Sequence, residues 1–496
     1  MTKLNTQVKE WFQACLAEDL ESLKKMIDAG FPVDQLDEEG DSALHIASAR
    51  NNIAMIELLL ENGASIEIEH GTSNEHPLHF ACAVGSKEAA EVLIEKGADL
   101  NARDNIGNTP FHNACGFGKI QLVKLMLEKG VDIDIKGCQG LTGILFATMS
   151  GHLEVVDFLI EAGADLDVEV KLDGELKDIT EIAFDYDQTE IIKFLLEKWD
   201  GADMELLLKK YCYNNDQEMV AYLLDRGGDI ETKNIVYNST LVQIACAKKY
   251  WDLATMLINR GAEVDLQDYI GRTPLHYACF FKENLQLVEL LLNNGAQLDI
   301  TDQNGGSPLH CACSGKEECF EIVKLLVERG ADVNQTDNKG LTPLNCACAR
   351  GYTDTVRFLL DQGTDVNIVY SNGETVLDCA CIFGNQTFAR WIIDKGADVN
   401  HQNELGLTPL MNAIKHGHPE MLELLVEKGA DLFIKDYVGN NLLHYACYHG
   451  CYDAAKFLIG QGLPVNELNE VGETPLSGAE KNGHKRIIQL LEESLK

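Results

Sequence analysis

The feature that most constrains this chain is a period. The hexapeptide Thr109-Pro110-Phe111-His112-Asn113-Ala114 returns as Thr273-Pro274-Leu275-His276-Tyr277-Ala278 and as Ser307-Pro308-Leu309-His310-Cys311-Ala312. Looser copies begin at Ser42, His76, Thr142, Thr240, Thr342, Thr375, Thr408, Asn441 and Thr474, and most starts lie 33 to 35 residues apart. With a first copy anchored at Lys9 and two eroded ones near Asp178 and Leu206, 15 units account for nearly all of the 496 residues. That length otherwise suggests about three or four globular cores; a repeat of this size means one small unit stacked on copies of itself.

Each unit reads as helix, turn, helix and loop. Thr109 is a good N-cap, and Pro110 suits the first helical position, where the missing N–H costs nothing. Gly116 and Gly118 interrupt that helix, and Leu122, Val123, Met126 and Leu127 form the apolar stripe of a second. Gly130 supplies a left-handed C-terminal cap, as Gly330 and Gly429 do in their units. Val131-Asp132-Ile133-Asp134 is expected to be extended and to lead to a tight turn at Gly140. A pair of short helices cannot bury both apolar faces alone, so stability requires stacked neighbours sharing a continuous core.

These units resemble ankyrin repeats: a T-P-L-H-x-A start, a V/L-rich second helix and a G-A-D-V-N ending, over about residues 7 to 493. The resemblance implies an all-α solenoid, elongated and curved, whose concave face of loop tips and first helices mainly binds other proteins.

The spacing departs from its rule between Asp165 and Asp216. The anchor at Asp178 follows Thr142 by 36 residues, the next at Leu206 comes 28 later, and neither has the Thr-Pro start. Either the stack is bent or weakly coupled here, or the eroded copies stack normally and merely lack consensus. The expected division is therefore residues 1–165 as about five N-terminal repeats with a capping first repeat, 166–215 as irregular eroded repeats, and 216–496 as C-terminal repeats with a polar capping last repeat.

Forty-one Lys and Arg against 79 Asp and Glu leave a formal charge of −38. Such a field repels nucleic acid and anionic lipid, and no local basic patch overrides it; a protein partner with a basic surface would suit it. The N-terminus has no apolar stretch of signal-peptide length, and nothing approaches the roughly 20 apolar residues of a spanning helix. A cytoplasmic protein with no membrane insertion is expected, its 16 cysteines reduced.

Ten cysteines share one repeat position: Cys15, Cys82, Cys115, Cys212, Cys246, Cys279, Cys313, Cys348, Cys381 and Cys447, all but Cys212 directly after an alanine. The ankyrin resemblance implies a small packed residue there, and cysteine then acts as a small hydrophobe. The strongest zinc candidate is the group His310, Cys311, Cys313 and Cys319; residues two apart on a helix point roughly 200° apart, so no metal site is expected. His45, His79, His112, His276, His310 and His444 recur at the fourth position of the motif with no catalytic partner beside them. The resemblance implies a structural hydrogen bond to neighbouring backbone. Asp173-Gly174 fails the calcium-loop template, and no Walker A, H-E-x-x-H or G-x-S-x-G sequence occurs. Neither catalysis nor a cofactor is expected.

Apolar residues do stand at positions that an ankyrin fold exposes for contact. Carried over from the resemblance, these are Ile106 and Phe117; Tyr269, Ile270, Arg272, Phe280 and Phe281; Ile382 and Phe383; and Tyr437, Val438, Tyr448 and His449. Aromatics and arginine on such a surface have the composition of interface hot spots. Asn101, Asn334, Asn400 and Asn466 look like the asparagines that asparaginyl hydroxylases modify in this family. The sequence therefore points to a non-enzymatic scaffold or adaptor, with an effector that inhibits or delivers a partner enzyme as the alternative.

Overall fold

The computed structural model describes residues 2–495, and among them are 30 α-helices arranged as fifteen consecutive pairs. The chain forms two compact units, Met1–Leu207 and Leu208–Lys496, whose boundary falls inside helix Met204–Tyr213. Within each unit the first helices of successive pairs pack on one another, and so do the second helices. This is the ankyrin-type solenoid expected from the period.

Local chemistry starts each first helix. Thr109 takes extended backbone angles, φ −106° and ψ 167°, before helix Pro110–Gly116. Its N–H donates to Nδ1 of His112 at 3.1 Å, closing a capping box. An accepting Nδ1 places the ring proton on Nε2, which donates to the Ile135 carbonyl at 3.0 Å. His45, His79, His276, His310 and His444 reach the carbonyls of Glu75, Asn108, Gly306, Leu341 and Glu473 in the same way, at 3.0, 3.2, 3.1, 3.0 and 3.3 Å. Each repeated histidine thus caps its own helix and ties it to the backbone 23 to 31 residues on.

The second helices bury residues at i, i+1 and i+4: Leu122, Val123 and Met126 in one, Val155, Val156 and Leu159 in the next, and Ile322, Val323 and Leu326 later. This is the apolar face that meets the neighbouring pair. All ten cysteines at the shared repeat position are buried, and burial pushes the thiols of Cys15, Cys212, Cys246 and Cys447 up to about 12. They pack as small hydrophobes.

Two expectations are corrected. Val131–Asp134 is a turn and not extended: the Asp132 carboxylate accepts the Asp134 N–H at 3.1 Å and the Asp132 carbonyl accepts that of Ile135. The extra residues after Asp165 are not plain loop. They build an antiparallel ribbon, β1 (Val170–Leu172) and β2 (Glu175–Lys177), with Leu172 opposite Glu175. Asp173 and Gly174 both have positive φ, 52° and 92°, the pairing that a two-residue type I′ hairpin turn requires. The eroded copies are themselves helix pairs: Ile179–Asp185 with Thr189–Lys198, and Met204–Tyr213 with Gln217–Asp225.

Candidate protein-binding face

Between one pair and the next, the chain of the second unit makes a hairpin tip, and in most of these tips a single polar side chain shapes the turn; in the tip with Ser371 that position is Tyr370. In the tip at Asp268, Oδ1 accepts the N–H groups of Ile270 and Arg272 at 3.0 and 2.9 Å, while Gly271 turns at φ +79°. Asp436 does the same for Val438 and Asn440, at 3.0 and 2.7 Å. Asp302, Asp337, Asn403 and Asn469 follow suit.

The tips are then bonded to one another. Tyr269 N–H donates to the Tyr237 carbonyl at 2.9 Å, Gln303 to Ile270, Asn338 to Asn304, Ser371 to Lys339, Glu404 to Asn372, Tyr437 to Leu405, and Glu470 to Val438. Backbone amides that would otherwise face water are satisfied along one continuous ladder. Gln303 and Asn338 add a side-chain bond to the preceding tip, at 2.6 and 2.9 Å, and the apolar side chains beside the ladder are left exposed.

Tyr269 is 63% exposed and Tyr437 62%. Val438 is exposed, and so are Ile106, Phe117, Phe383, Tyr448 and His449. Ile270 and Ile382 are half-buried. Arg272 is committed within the chain: its Nε lies 3.3 Å from Asp302 Oδ2 and its guanidinium 5.8 Å from the Tyr277 ring. Phe280 and Phe281 are half-buried and leave the tip face. Their rings meet edge to face at 5.4 Å, and Phe281 lies 5.8 Å from Trp251 with Lys249 above it at 4.2 Å. The Tyr269 to Phe281 group is therefore two groups.

Tyr269 and Ile270 instead share a cleft of about 480 Å³ with Tyr213, Tyr237, Ile244, Lys248 and Tyr277. Tyr237 belongs to the most exposed apolar run among the described residues, Ile235, Val236 and Tyr237 at 93, 72 and 58%. Sequence reasoning missed this run because its turn closes on Asn238, with φ 51°, in place of the usual glycine. It also missed Leu405 and Val471, whose tips begin with asparagine and not aspartate. A second cleft, about 260 Å³, is lined by Val438, Tyr445, Tyr448, His449 and Val471.

The asparagines occupy a different loop. Asn334 and Asn400 accept the backbone N–H of Asp365 and Asp431 at 2.9 and 2.8 Å, linking successive turns, while Asn101 and Asn466 are exposed.

The residues that could carry chemistry are held in structural roles. Burial depresses His45, His112 and His276 to about 4, so these rings are neutral near pH 7. Among the described residues no group of three or more His, Cys, Asp or Glu is placed to hold a metal ion, and no helix is long and apolar enough to cross a membrane.

Comparison with known proteins agrees with this architecture. The family model for ankyrin repeats in three copies matches residues 11–104, 103–170, 208–302, 241–337, 275–370, 319–403, 362–436 and 397–467, and a model for many copies matches 443–492. The chain belongs to the ankyrin-repeat family. The stretch from 171 to 207, with β2 and the first eroded pair, is the internal interval those matches omit. Ankyrin repeats are a protein–protein interaction fold, generally without enzymatic activity of its own.

Among similar proteins, ankyrin repeat and SOCS box protein 16 of Homo sapiens is 36% identical over 97 residues, 20% of this chain and 21% of that protein. E3 ubiquitin-protein ligase KEG of Arabidopsis thaliana is 34% identical over 77 residues, 16% of this chain and 5% of that protein. Palmitoyltransferase ZDHHC13 of Mus musculus is 33% identical over 87 residues, 18% of this chain and 14% of that protein. This chain thus spans between 5% and 21% of the length of these curated relatives. The solved ankyrin repeat domain of Bcl-3 is 27% identical, with 41% of this chain and 92% of that chain covered at a TM-score of 0.37.

Proposed function

We propose that this ankyrin-repeat protein is a non-enzymatic scaffold or adaptor that captures a partner protein on the hairpin-tip face of its second unit. The observation that carries the reading is the row of exposed tyrosines, Tyr237, Tyr269 and Tyr437, on tips already fixed by backbone hydrogen bonds. Tyrosine buries a large area with few rotatable bonds, so contacts made there incur little ordering cost. The buried histidines and thiols, held in capping and packing roles, support a binding function over a catalytic one.

The test is affinity purification with the full chain as bait, comparing wild type with the Tyr237→Ala/Tyr269→Ala/Tyr437→Ala variant by quantitative mass spectrometry. Each hot-spot tyrosine removed costs about 2 kcal/mol or more, so partners held on this face drop out. An unchanged set of partners at unchanged abundance, from a variant with an unchanged circular dichroism melt, overturns the assignment. These exposed positions serve better than Phe280 and Phe281, whose truncation would also disturb the packing on Trp251.

A further inference from the structure

The tip ladder is patterned, and the pattern specifies what kind of partner segment fits. At its start, Tyr237 and Tyr269 stand exposed beside Lys248. At its end, Leu405, Tyr437, Val438 and Val471 are exposed at 62, 62, 43 and 68%. Between these ends the outward tip residues are Gln303, Asn304, Asn338, Lys339, Ser371 and Asn372, all exposed and all polar. The ladder therefore reads apolar, polar, apolar over one unbroken run of hydrogen-bonded backbone.

The two ends present opposite charge at the surface: Asp268 also lines the first cleft, but its carboxylate is 7% exposed and taken up by Ile270, Arg272 and Tyr277. Lys248 is exposed, lies 5.3 Å over the Tyr213 ring and has no acidic partner among the described residues. Glu404 and Glu470 are exposed on the tips either side of Tyr437, and neither has a basic partner among the described residues. In a chain of net charge −38 an unpaired lysine beside an aromatic cleft is the less expected of the two signs. It favours a carboxylate at that end, as the glutamates favour a cation at the other.

We propose, building on the protein-binding reading above, that a single extended partner segment lies along this ladder. One apolar side chain flanked by a carboxylate seats beside Tyr269 and Lys248, and a second flanked by lysine or arginine seats beside Tyr437. Between them Ser371 and the donors and acceptors that Gln303, Asn338 and Asn372 have left, after their bonds to Tyr269, Gln303 and Glu374 backbone, hydrogen-bond the intervening backbone. Tyr269 and Tyr437 are five repeats apart, and helices stack at roughly 8–10 Å, so the anchors are about 40–50 Å apart along the stack. An extended chain covers that span with about 12–15 residues.

The experiment uses the full chain and fluorescein-labelled synthetic peptides read by anisotropy. The probes are Glu-Leu-Trp-Glu alone, Lys-Leu-Trp-Lys alone, and the two joined by Gly/Ser/Gln linkers of about 5, 14 and 25 residues, bracketing the expected span. The expected result is that the middle linker binds at least about 30-fold tighter than the better single peptide, whereas the shortest gains nothing. Tyr269→Ala and Tyr437→Ala should each abolish that gain while leaving the single peptide of the opposite end unaffected.

No gain at any linker length, or a gain that survives both substitutions, overturns the single-segment proposal while leaving capture on the face standing. Sedimentation equilibrium showing self-association that Tyr269→Ala abolishes also overturns it, because the occupant is then a second copy of this chain. If neither single peptide binds saturably, the two anchors are wrongly assigned and the single-segment proposal falls; the protein-binding reading of the face is decided separately, by the triple-alanine purification.

Discussion

The hydroxyl of Tyr277 donates to Oδ2 of Asp268 at 2.6 Å, across the base of the tip that Asp268 shapes. Five repeats later Tyr445 makes the same bond to Asp436, also at 2.6 Å. Both carboxylates are 7% exposed, and both phenols are pushed well above their ordinary range by burial and by the carboxylate beside them. The two tips that present Tyr269 and Tyr437 thus rest on the same strut.

Tyr277→Phe should destabilise the second unit by about 1.5–3 kcal/mol, the range for a hydrogen bond to a charged group. Tyr445→Phe should cost a similar amount. The comparison to make is the urea midpoint of each variant against wild type, together with amide exchange at Ile270 and Val438. A loss of protection confined to the tip identifies the strut as local; unchanged midpoints in both variants would show that the carboxylate needs only its backbone donors.

The capping histidines predict loss of stability in mild acid. Burial lowers the folded-state value of His276 to about 4, below its unfolded value of about 6.5. Above pH 6.5 neither state binds the proton and the full contribution is present. As pH falls from 6.5 to 4 the unfolded chain protonates first, so stability is lost at up to about 1.4 kcal/mol per pH unit for each such histidine. Gln243 fills the same position naturally, donating from Nε2 to the Leu266 carbonyl at 2.8 Å. His276→Gln should therefore flatten the pH dependence of the urea midpoint between pH 7.5 and 4.5.

Asp378 has the opposite sign. It occupies the histidine position of its repeat, fully buried, accepting from Thr375 N–H at 2.9 Å and from Asn412 Nδ2 at 3.0 Å. Burial raises its carboxyl above the ordinary value, so its contribution is present below the unfolded value of about 4 and is lost as pH rises through the folded value. Asn412 Oδ1 is buried without a donor. With the Asn412 amide turned over so that its Oδ1 faces position 378, Asp378→Asn would supply one, and should raise the unfolding free energy by about 1–2 kcal/mol at pH 7.5, with the gain shrinking toward pH 4.

Gly118 turns at φ +68°, and a Cβ there would stand 2.7 Å from the His152 ring of the next repeat. That ring is held by its Nε2, 3.0 Å from the Gly116 carbonyl, so it cannot move away freely. Gly118→Ala combines left-handed strain with overpacking and should destabilise the first unit by about 1–3 kcal/mol, measurable by thermal melting.

What was legible in the sequence was what repeats. The 33-residue period, the capping histidines and the buried cysteine position each rest on local chemistry used again and again, so each copy corroborates the others. Tyr269 and Tyr437 were readable because Asp and Gly bracket their tips. Ile235, Val236 and Tyr237 were not, since Asn234 and Asn238 stand where those markers usually do. Phe280 and Phe281 show the limit of reasoning by position: the backbone leaving helix Pro274–Cys279 carries Phe281 toward Trp251 and away from the tips. At Asp173-Gly174 the hairpin signal was present, but a search for calcium ligands addressed a different property of the same two residues.

The tip ladder separates two demands that usually compete. Its main links run between backbone atoms, from Tyr237 to Glu470, with Gln303 and Asn338 adding a side-chain bond to the preceding tip, so they depend little on which side chains stand at the other exposed tip positions. Mutations at those positions are thereby largely released from selection for foldability. A lineage could exchange tyrosine for serine or glutamate there, tip by tip, and acquire new binding preferences while the stack beneath stayed intact. The same freedom makes these eight tips the natural place to randomise when the scaffold is used as a library.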